Sequence, residues 1–327
     1  MPKVTVGMPT YNRAKFLAKA IQQVLAQTFK DFEFIIYNDG STDETISVIQ
    51  SFNDDRIIKI NEINRGMPRP LNEILRLAKG EYIIILHDHD FFDQFLLEKS
   101  YNALRKYPDA GFVLQGSAWI DEDGISNYRS NLLDLPEYNN GKKFLESYFL
   151  NEKDLSSPIH ACCMVRKLAY DQVGKYYDEK YGWYTDNDLW FRLMQNYNFI
   201  YLNEVLFKFR GRELNHILHQ KAWQIIKWTF EIHKINIQRS FIGNDVLYEK
   251  AMKILEYKIA KASKKIFYQS MIKGNKIFLD ESIEEIEKYN NDLKLLFLKL
   301  LLNRNDFLKN AVLKIGPKLN RIRKLFF

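Results

Sequence analysis

The stretch that decides the fold runs from Val4 to Asp39, "VTVGMPTYNRAKFLAKAIQQVLAQTFKDFEFIIYND". It opens on the apolar run Val4–Met8, ended by Pro9, and closes on a second run, Phe34–Tyr37, ended by "NDGSTD". Between them "KFLAKAIQQVLAQ" places Phe16, Leu17, Ala20, Ile21, Val24 and Leu25 at helical spacing. A strand, an amphipathic helix and a second strand make a βαβ unit. Further strands are expected at Ile57–Ile60 and Tyr82–Leu86, with helical patterns in "ETISVIQSF" and "PLNEILRLAKG" between them and Gly80 as a helix stop. Strands alternating with helices predict an α/β, Rossmann-like domain with a mainly parallel sheet. Ligands of such sheets bind beyond the carboxyl ends of the strands. Three polar segments occupy that position: Pro9–Asn12, Asn38–Ser41 and His87–Asp90. They are expected to converge on one crevice.

Composition limits what that crevice serves. The chain has 327 residues, 46% of them hydrophobic, so a folded protein of one large or two ordinary domains is expected. The two cysteines, Cys162 and Cys163, are neighbours, which argues for a reducing compartment and against a disulfide framework. The start "MPKVTVGMPTYNR" has no signal-like apolar core, and no run approaches 18 apolar residues. A cytoplasmic protein, free or peripheral on the inner face of the cell membrane, is the expectation. Charge is uneven: residues 213–327 hold 22 Lys and Arg against 12 Asp and Glu, a net of +10, which leaves −3 for residues 1–212 of the chain's +7. Two regions with two jobs are suggested, a mildly acidic one over 1–212 and a basic helical one over 213–327.

The residues at the strand ends carry chemistry. Asp39 precedes Gly40, which permits a sharp turn and close ligand approach. Its carboxylate suits a base N–H or a ribose hydroxyl, while Asp43 or Ser41 can cap the helix that follows. Arg13, Arg65 and Arg69 stand in loops of the same half and suit phosphate oxygens. In "HDHD", carboxylates at a strand end suit a hard divalent cation, Mg²⁺ or Mn²⁺, bridging to phosphates, and an imidazole shifts preference toward Mn²⁺ or a softer metal. Continued as a strand, the segment would instead turn Asp88 and Asp90 to one face and the histidines to the other. The helical HExxH spacing of many zinc hydrolases is absent.

These residues resemble a family. The opening quoted above, then "NRGMPRPLNEILRLAKGEYIIIL", "HDHD", "IDEDG", "HACCMVRKLAYDQVGKY" and "WYTDNDLWFRL" are similar in register to family-2 glycosyltransferases of the GT-A fold, over roughly residues 3–212. The opening is similar to that of bacterial SpsA-type (spore-coat) transferases, which use a nucleotide-diphospho-sugar and a divalent metal and transfer the sugar with inversion. The resemblance implies that Pro9, Thr10 and Tyr11 line the nucleotide, with Tyr11 against the base, and that Asp39 accepts the base N–H. The resemblance also puts Asp88 near the ribose; Arg13 and Arg65 are expected with this nucleotide set from their loop positions alone. His89 stands where the family usually has its metal-coordinating aspartate, so His89 coordinates the metal, or the adjacent Asp90 does, or metal dependence is weak. Asn38 replaces an aspartate common in "DDGS". Asp186 is implied as the general base for the acceptor hydroxyl; capping of its helix is the other reading, which Asn187 or Asp188 also suits. Trp183, Tyr184, Asp188 and His160 fall on the acceptor side.

Past Arg210 the resemblance stops. "HILHQKAWQIIKWTFEIHKI", "YEKAMKILEYKIAKASKKIF" and "ESIEEIEKYNNDLKLLFLKLLL" are helical in period, and residues 304–327 mix Lys and Arg with Leu, Ile and Phe. That last segment suits an anionic membrane surface or packing against the catalytic domain or a second subunit of a homo-oligomer. The resemblance implies a glycan, lipid-linked or other surface-polysaccharide acceptor. Without a QxxRW signature, one sugar per encounter is expected. A nucleotide-binding regulator with a degenerate site, a metal hydrolase and a basic nucleic-acid-binding protein are the rival classes. No nucleic-acid recognition motif is visible, so nucleic acid is not expected as a partner.

Overall fold

The computed structural model describes residues 1–121, 129–151, 162–174, 176, 179–210 and 222–273. His160 and the segment 304–327 lie outside them. Chain contacts divide the molecule into two units, residues 1–147 with 157–213, and residues 148–156 with 214–327.

In the first unit the elements follow as β1 (Val4–Thr10), α1 (Ala14–Leu25), β2 (Phe32–Asp39), α2 (Thr45–Gln50), β3 (Ile57–Glu62), α3 (Arg69–Leu77), β4 (Tyr82–Ile85), β5 (Phe91–Phe92), α4 (Leu96–Lys106) and β6 (Ala110–Ile120). Then come β7 (Arg129–Asn131), β8 (Tyr138–Asn139), α5 (Gly141–Phe149), β9 (Met164–Arg166), α6 (Lys167–Val173), a 3₁₀ turn (Glu179–Tyr184), α7 (Asp186–Asn196) and β10 (Asn198–Arg210). The sheet order is β3-β2-β1-β4-β9-β6-β10-β5. β1 and β2 are buried at every position, as strands with both faces covered must be, whereas edge strand β3 is half exposed. Helix α1 turns Leu17, Ala20, Ile21 and Val24 into the core. Its N-terminus is capped by the neighbouring loop: Arg13 N–H donates to Thr45 Oγ1 and Ala14 N–H to Asp43 Oδ2.

Two differences from the sequence reading have physical causes. β1 continues through Pro9 to Thr10, in register with Tyr37 and Asn38 of β2. β4 stops pairing at Gly7, so beyond it β1 is an edge on one side, where a residue without an N–H is tolerated. The sheet is also parallel only over β3-β2-β1-β4 and between β6 and β10. β9 lies antiparallel to both β4 and β6. Arg166 fastens it there, donating to Ala110 O at 2.8 Å and Tyr82 Oη at 3.0 Å, with its guanidinium 5.2 Å from the Tyr82 ring.

The second unit contains α8 (Ala222–Ser240) and α9 (Asp245–Lys273). Ile226, Ile232, Ile237, Ala251, Ile254, Leu255 and Ile259 are buried in it. His233 is enclosed too, with Nε2 3.0 Å from Tyr148 Oη and Nδ1 2.8 Å from Thr229 O. Burial pushes its imidazole down to about 4. Among the described residues no helix is long and apolar enough to cross a membrane.

Candidate active site

The carboxyl ends of β1, β2 and β4 meet through their loops. Asn12 adopts φ 51°, which an asparagine tolerates, and this places its main chain and side chain against the loop after β2. Its N–H donates to Ser41 Oγ at 2.9 Å, and its Oδ1 accepts the Thr42 N–H at 2.8 Å. The Ser41 hydroxyl donates to Asn38 Oδ1, and Asn38 Nδ2 donates to Asn61 Oδ1 at 3.2 Å. Asn38 therefore holds the turn by its Oδ1 acceptor and ties β2 to β3 by a donor that an aspartate lacks.

Asp39 is buried, and its two oxygens accept the N–H groups of Arg65 (3.0 Å) and Gly66 (2.9 Å). Gly40 makes this possible. At φ +72° it has no side chain to collide with the incoming loop, where a Cβ would stand 2.4 Å from Asn64 N. Asp39 thus anchors the loop from which the exposed Arg65 projects, and two of its roughly four lone-pair positions remain. Pro9 and Thr10 are buried beside it, and Thr10 Oγ1 has no hydrogen-bond partner among the described residues. Tyr11 is exposed.

His87–Asp90 is a turn between β4 and β5, so the alternating two-faced reading does not apply. His87 Nδ1 lies 3.0 Å from Asp90 Oδ2, and His89 Nδ1 2.8 Å from Asp88 Oδ1. His89 Nε2 faces Asp90 Oδ1 at 3.5 Å, and the two imidazoles stack with centroids 5.6 Å apart. Arg13 Nε reaches to 3.8 Å from Asp88 Oδ1, which ties the first loop to the third. The Asp90 side chain is fully buried. Burial alone would raise its carboxyl, but the His87 hydrogen bond, both imidazoles and the Arg210 N–H outweigh it and hold the group below the usual carboxylate range. Donor atoms of His87, His89 and Asp90 all lie within 4.8 Å of one another, close enough to hold a metal ion. The sequence reading named the last two; the structure adds His87.

Arg210, the final residue of β10, was not singled out by sequence. Its N–H donates to Asp90 Oδ1 at 3.0 Å and its Nε to His89 O at 2.9 Å. Its guanidinium lies 4.7 Å from the Phe16 ring and 4.4 Å from Phe91. The available signal was positional: an arginine ends a strand at the same carboxyl edge as the other site residues.

Asp186 opens α7. Thr185 occupies the cap position without capping the helix through its side chain, and Asp186 is the first helical residue rather than the cap. It is half-buried, and desolvation raises its carboxyl to about 6 while the His87 imidazole draws it down. Cys163, Tyr170 and Tyr176 each sense its charge, which places them around it. Cys162 lies under the third loop, coupled to Asp90 and hydrogen-bonded by the His87 main chain. Both cysteines are buried and neither is in a disulfide. Asp188 is buried and pairs with Arg192 Nε at 2.6 Å; Arg192 also donates to Gly174 O at 3.2 Å, bracing α7 against the end of α6. Trp183 and Tyr184 belong to the 3₁₀ turn before Asp186.

Residues 5–174 match the family model for glycosyl transferase family 2. The chain belongs to this family. It is a glycosyltransferase, and its mixed sheet with flanking helices is the GT-A fold. An uncharacterized glycosyltransferase of Methanocaldococcus jannaschii is 32% identical over 74% of this chain and 83% of its own. The Escherichia coli chondroitin synthase is 28% identical over 72% of this chain, which spans only 32% of that larger protein. Among solved structures, S. aureus TarS 1-349 in complex with UDP superposes with a TM-score of 0.60 at 15% identity, over 97% of this chain and 91% of its own. The Pyrobaculum calidifontis mannosyltransferase PcManGT, in complex with GDP-Man and Mn²⁺, gives 0.51 at 17% identity, over 94% and 88%.

Proposed function

We propose that this glycosyltransferase moves a sugar from a nucleotide-diphospho-sugar, with UDP as the nucleotide, to a hydroxyl of a glycan or lipid-linked acceptor, with inversion and one sugar per encounter. The observation that carries the reading is Asp186: a half-buried carboxylate raised to about 6, at a helix start, within electrostatic reach of His87 in the strand-end turn. A base with that affinity is ionised at neutral pH yet still accepts a proton as it is released.

Each residue then has a task. The exposed ring of Tyr11 stacks on the base, and Asp39 uses its remaining lone pairs for a base N–H. The buried Thr10 hydroxyl takes a nucleotide oxygen as its partner, and Arg13 and Arg65 meet phosphate oxygens. Asp188, paired with Arg192, holds α7 and hence Asp186 in place. His89 and an ionised Asp90 fit a divalent cation, Mn²⁺ or Mg²⁺. Bound there, that ion supplies positive charge against the leaving diphosphate. Asp186 removes the acceptor hydroxyl proton as that oxygen bonds to the anomeric carbon. The bond from that carbon to the phosphate oxygen breaks with its electron pair, releasing the nucleoside diphosphate. One displacement inverts the anomeric centre. The complexes of TarS with UDP and UDP-GlcNAc support the choice of nucleotide.

The test is nucleotide release from a panel of UDP-sugars with candidate glycan acceptors. Acceptor-dependent release that disappears in Asp186→Asn, with UDP affinity retained, is the expected result. Turnover surviving that substitution would mean that another group is the base.

A further inference from the structure

We propose that His87 is the third protein donor to the divalent cation, and that His87, His89 and Asp90 together retain a transition cation before any nucleotide arrives, in preference to Mg²⁺. The inference rests on the proposed cation site and goes beyond it in donor set, metal class and order of binding.

The family resemblance places a carboxylate at position 89; this chain offers two imidazoles and one carboxylate from a single turn. Their donor atoms lie within 4.8 Å of one another. His89 is already oriented. Its Nδ1 lies 2.8 Å from Asp88 Oδ1 and its Nε2 3.5 Å from Asp90 Oδ1, so a cation at Nε2 and Asp90 would keep Asp88 behind the ring. A carboxylate behind a ligating imidazole is also the usual outer support of a metal-bound histidine. Asp90 is fixed as well, fully buried with Oδ1 on the Arg210 N–H. His87 Nδ1 stands 3.0 Å from Asp90 Oδ2, so a cation bound by both displaces one proton to solvent. Three preorganised donors reduce the ordering required on binding, and two nitrogens favour Mn²⁺, Co²⁺ or Zn²⁺ over oxygen-seeking Mg²⁺.

The test uses full-length protein freed of metal by chelation and dialysis, with no nucleotide present. Calorimetry with Mn²⁺, Co²⁺ and Mg²⁺, together with the visible absorption of bound Co²⁺, reads binding directly. One Co²⁺ per chain, held at least tenfold tighter than Mg²⁺, is expected. His87→Asn should weaken Co²⁺ by about 10- to 100-fold and change its spectrum, while His87→Asp restores binding and narrows the preference over Mg²⁺. Melting temperature and far-ultraviolet circular dichroism report whether each variant is folded. Unchanged Co²⁺ affinity in a folded His87→Asn, equal affinity for Mg²⁺, or cation binding only in the presence of UDP would each overturn the proposal. UDP added at the end separates the two readings. Cation binding without UDP binding leaves this inference standing and the donor assignment failed; UDP-dependent cation binding does the reverse.

Discussion

Arg210 Nε donates to the main-chain oxygen of His89 at 2.9 Å, so the last residue of β10 grips the turn in which β4 ends. The guanidinium is held between Phe16 of α1 and the Phe91 ring of β5, which restricts its motion as well as its place. Arg210→Ala should lower cation affinity and transfer by about 10- to 100-fold, the usual effect of losing an outer support of a metal site. Arg210→Lys keeps the charge without the planar fork and should recover only part. The Mn²⁺ dependence of the initial rate checks this. A rate and an Mn²⁺ requirement that stay unchanged in Arg210→Ala would show that the grip has no functional part.

The pH profile follows from Asp186. Its carboxyl is raised from 3.8 to about 6 by desolvation, and transfer needs the ionised form. Activity should be level above about pH 7 and fall roughly tenfold per unit below about pH 6. An acid limb near 4, measured under saturating donor and acceptor, would place the essential base elsewhere.

The same raised value makes a stability prediction with a definite sign. Asp186 binds its proton more tightly folded than unfolded, so its favourable contribution is complete below about pH 4 and is lost as pH rises through about 6. Asp186→Asn removes the ionised form. The variant should match the wild type at pH 4 and exceed it by about 2 kcal/mol at pH 8, a figure lowered for the group's partial exposure. Urea unfolding at the two pH values reads the difference. An equal difference at both pH values would mean that the carboxylate is not desolvated.

Gly40 sits at φ +72°, with the main chain of Asn64 where a side chain would go. Gly40→Ala should destabilise the protein by about 2 kcal/mol or more and move Arg65 and Gly66 off the Asp39 carboxylate. Nucleotide affinity should fall with it. Thermal melts with UDP titration test both, and UDP affinity within twofold of wild type would separate Asp39 from nucleotide binding.

What sequence reveals here is set by how far each interaction extends along the chain. The βαβ opening was legible because buried strands and an amphipathic helix each leave a local period, and the three site loops were legible because polar residues interrupt those periods. β9 was not: three residues carry no period, and its place between β4 and β6 depends on Arg166 reaching carbonyls more than fifty residues away. Asp39 was legible as a site residue but its partners were not, since they are backbone N–H groups of Arg65 and Gly66, and any residue supplies those. Cys162 and Cys163 gave a compositional clue about redox environment, yet their place under Asp90 and beside Asp186 arises only once β9 and α7 are assembled. Asp186 came from resemblance; its raised affinity for a proton comes from desolvation, which arises only once the chain is packed around it.

The central claim is that the crevice formed by these loops binds a nucleoside diphosphate through a cation held at His87–Asp90. Calorimetric titration of UDP into the purified protein, with Mn²⁺ and then with excess chelator, tests it most directly. Saturable UDP binding with Mn²⁺ that weakens at least tenfold with chelator is expected. No binding of UDP, GDP or dTDP in either condition would contradict it.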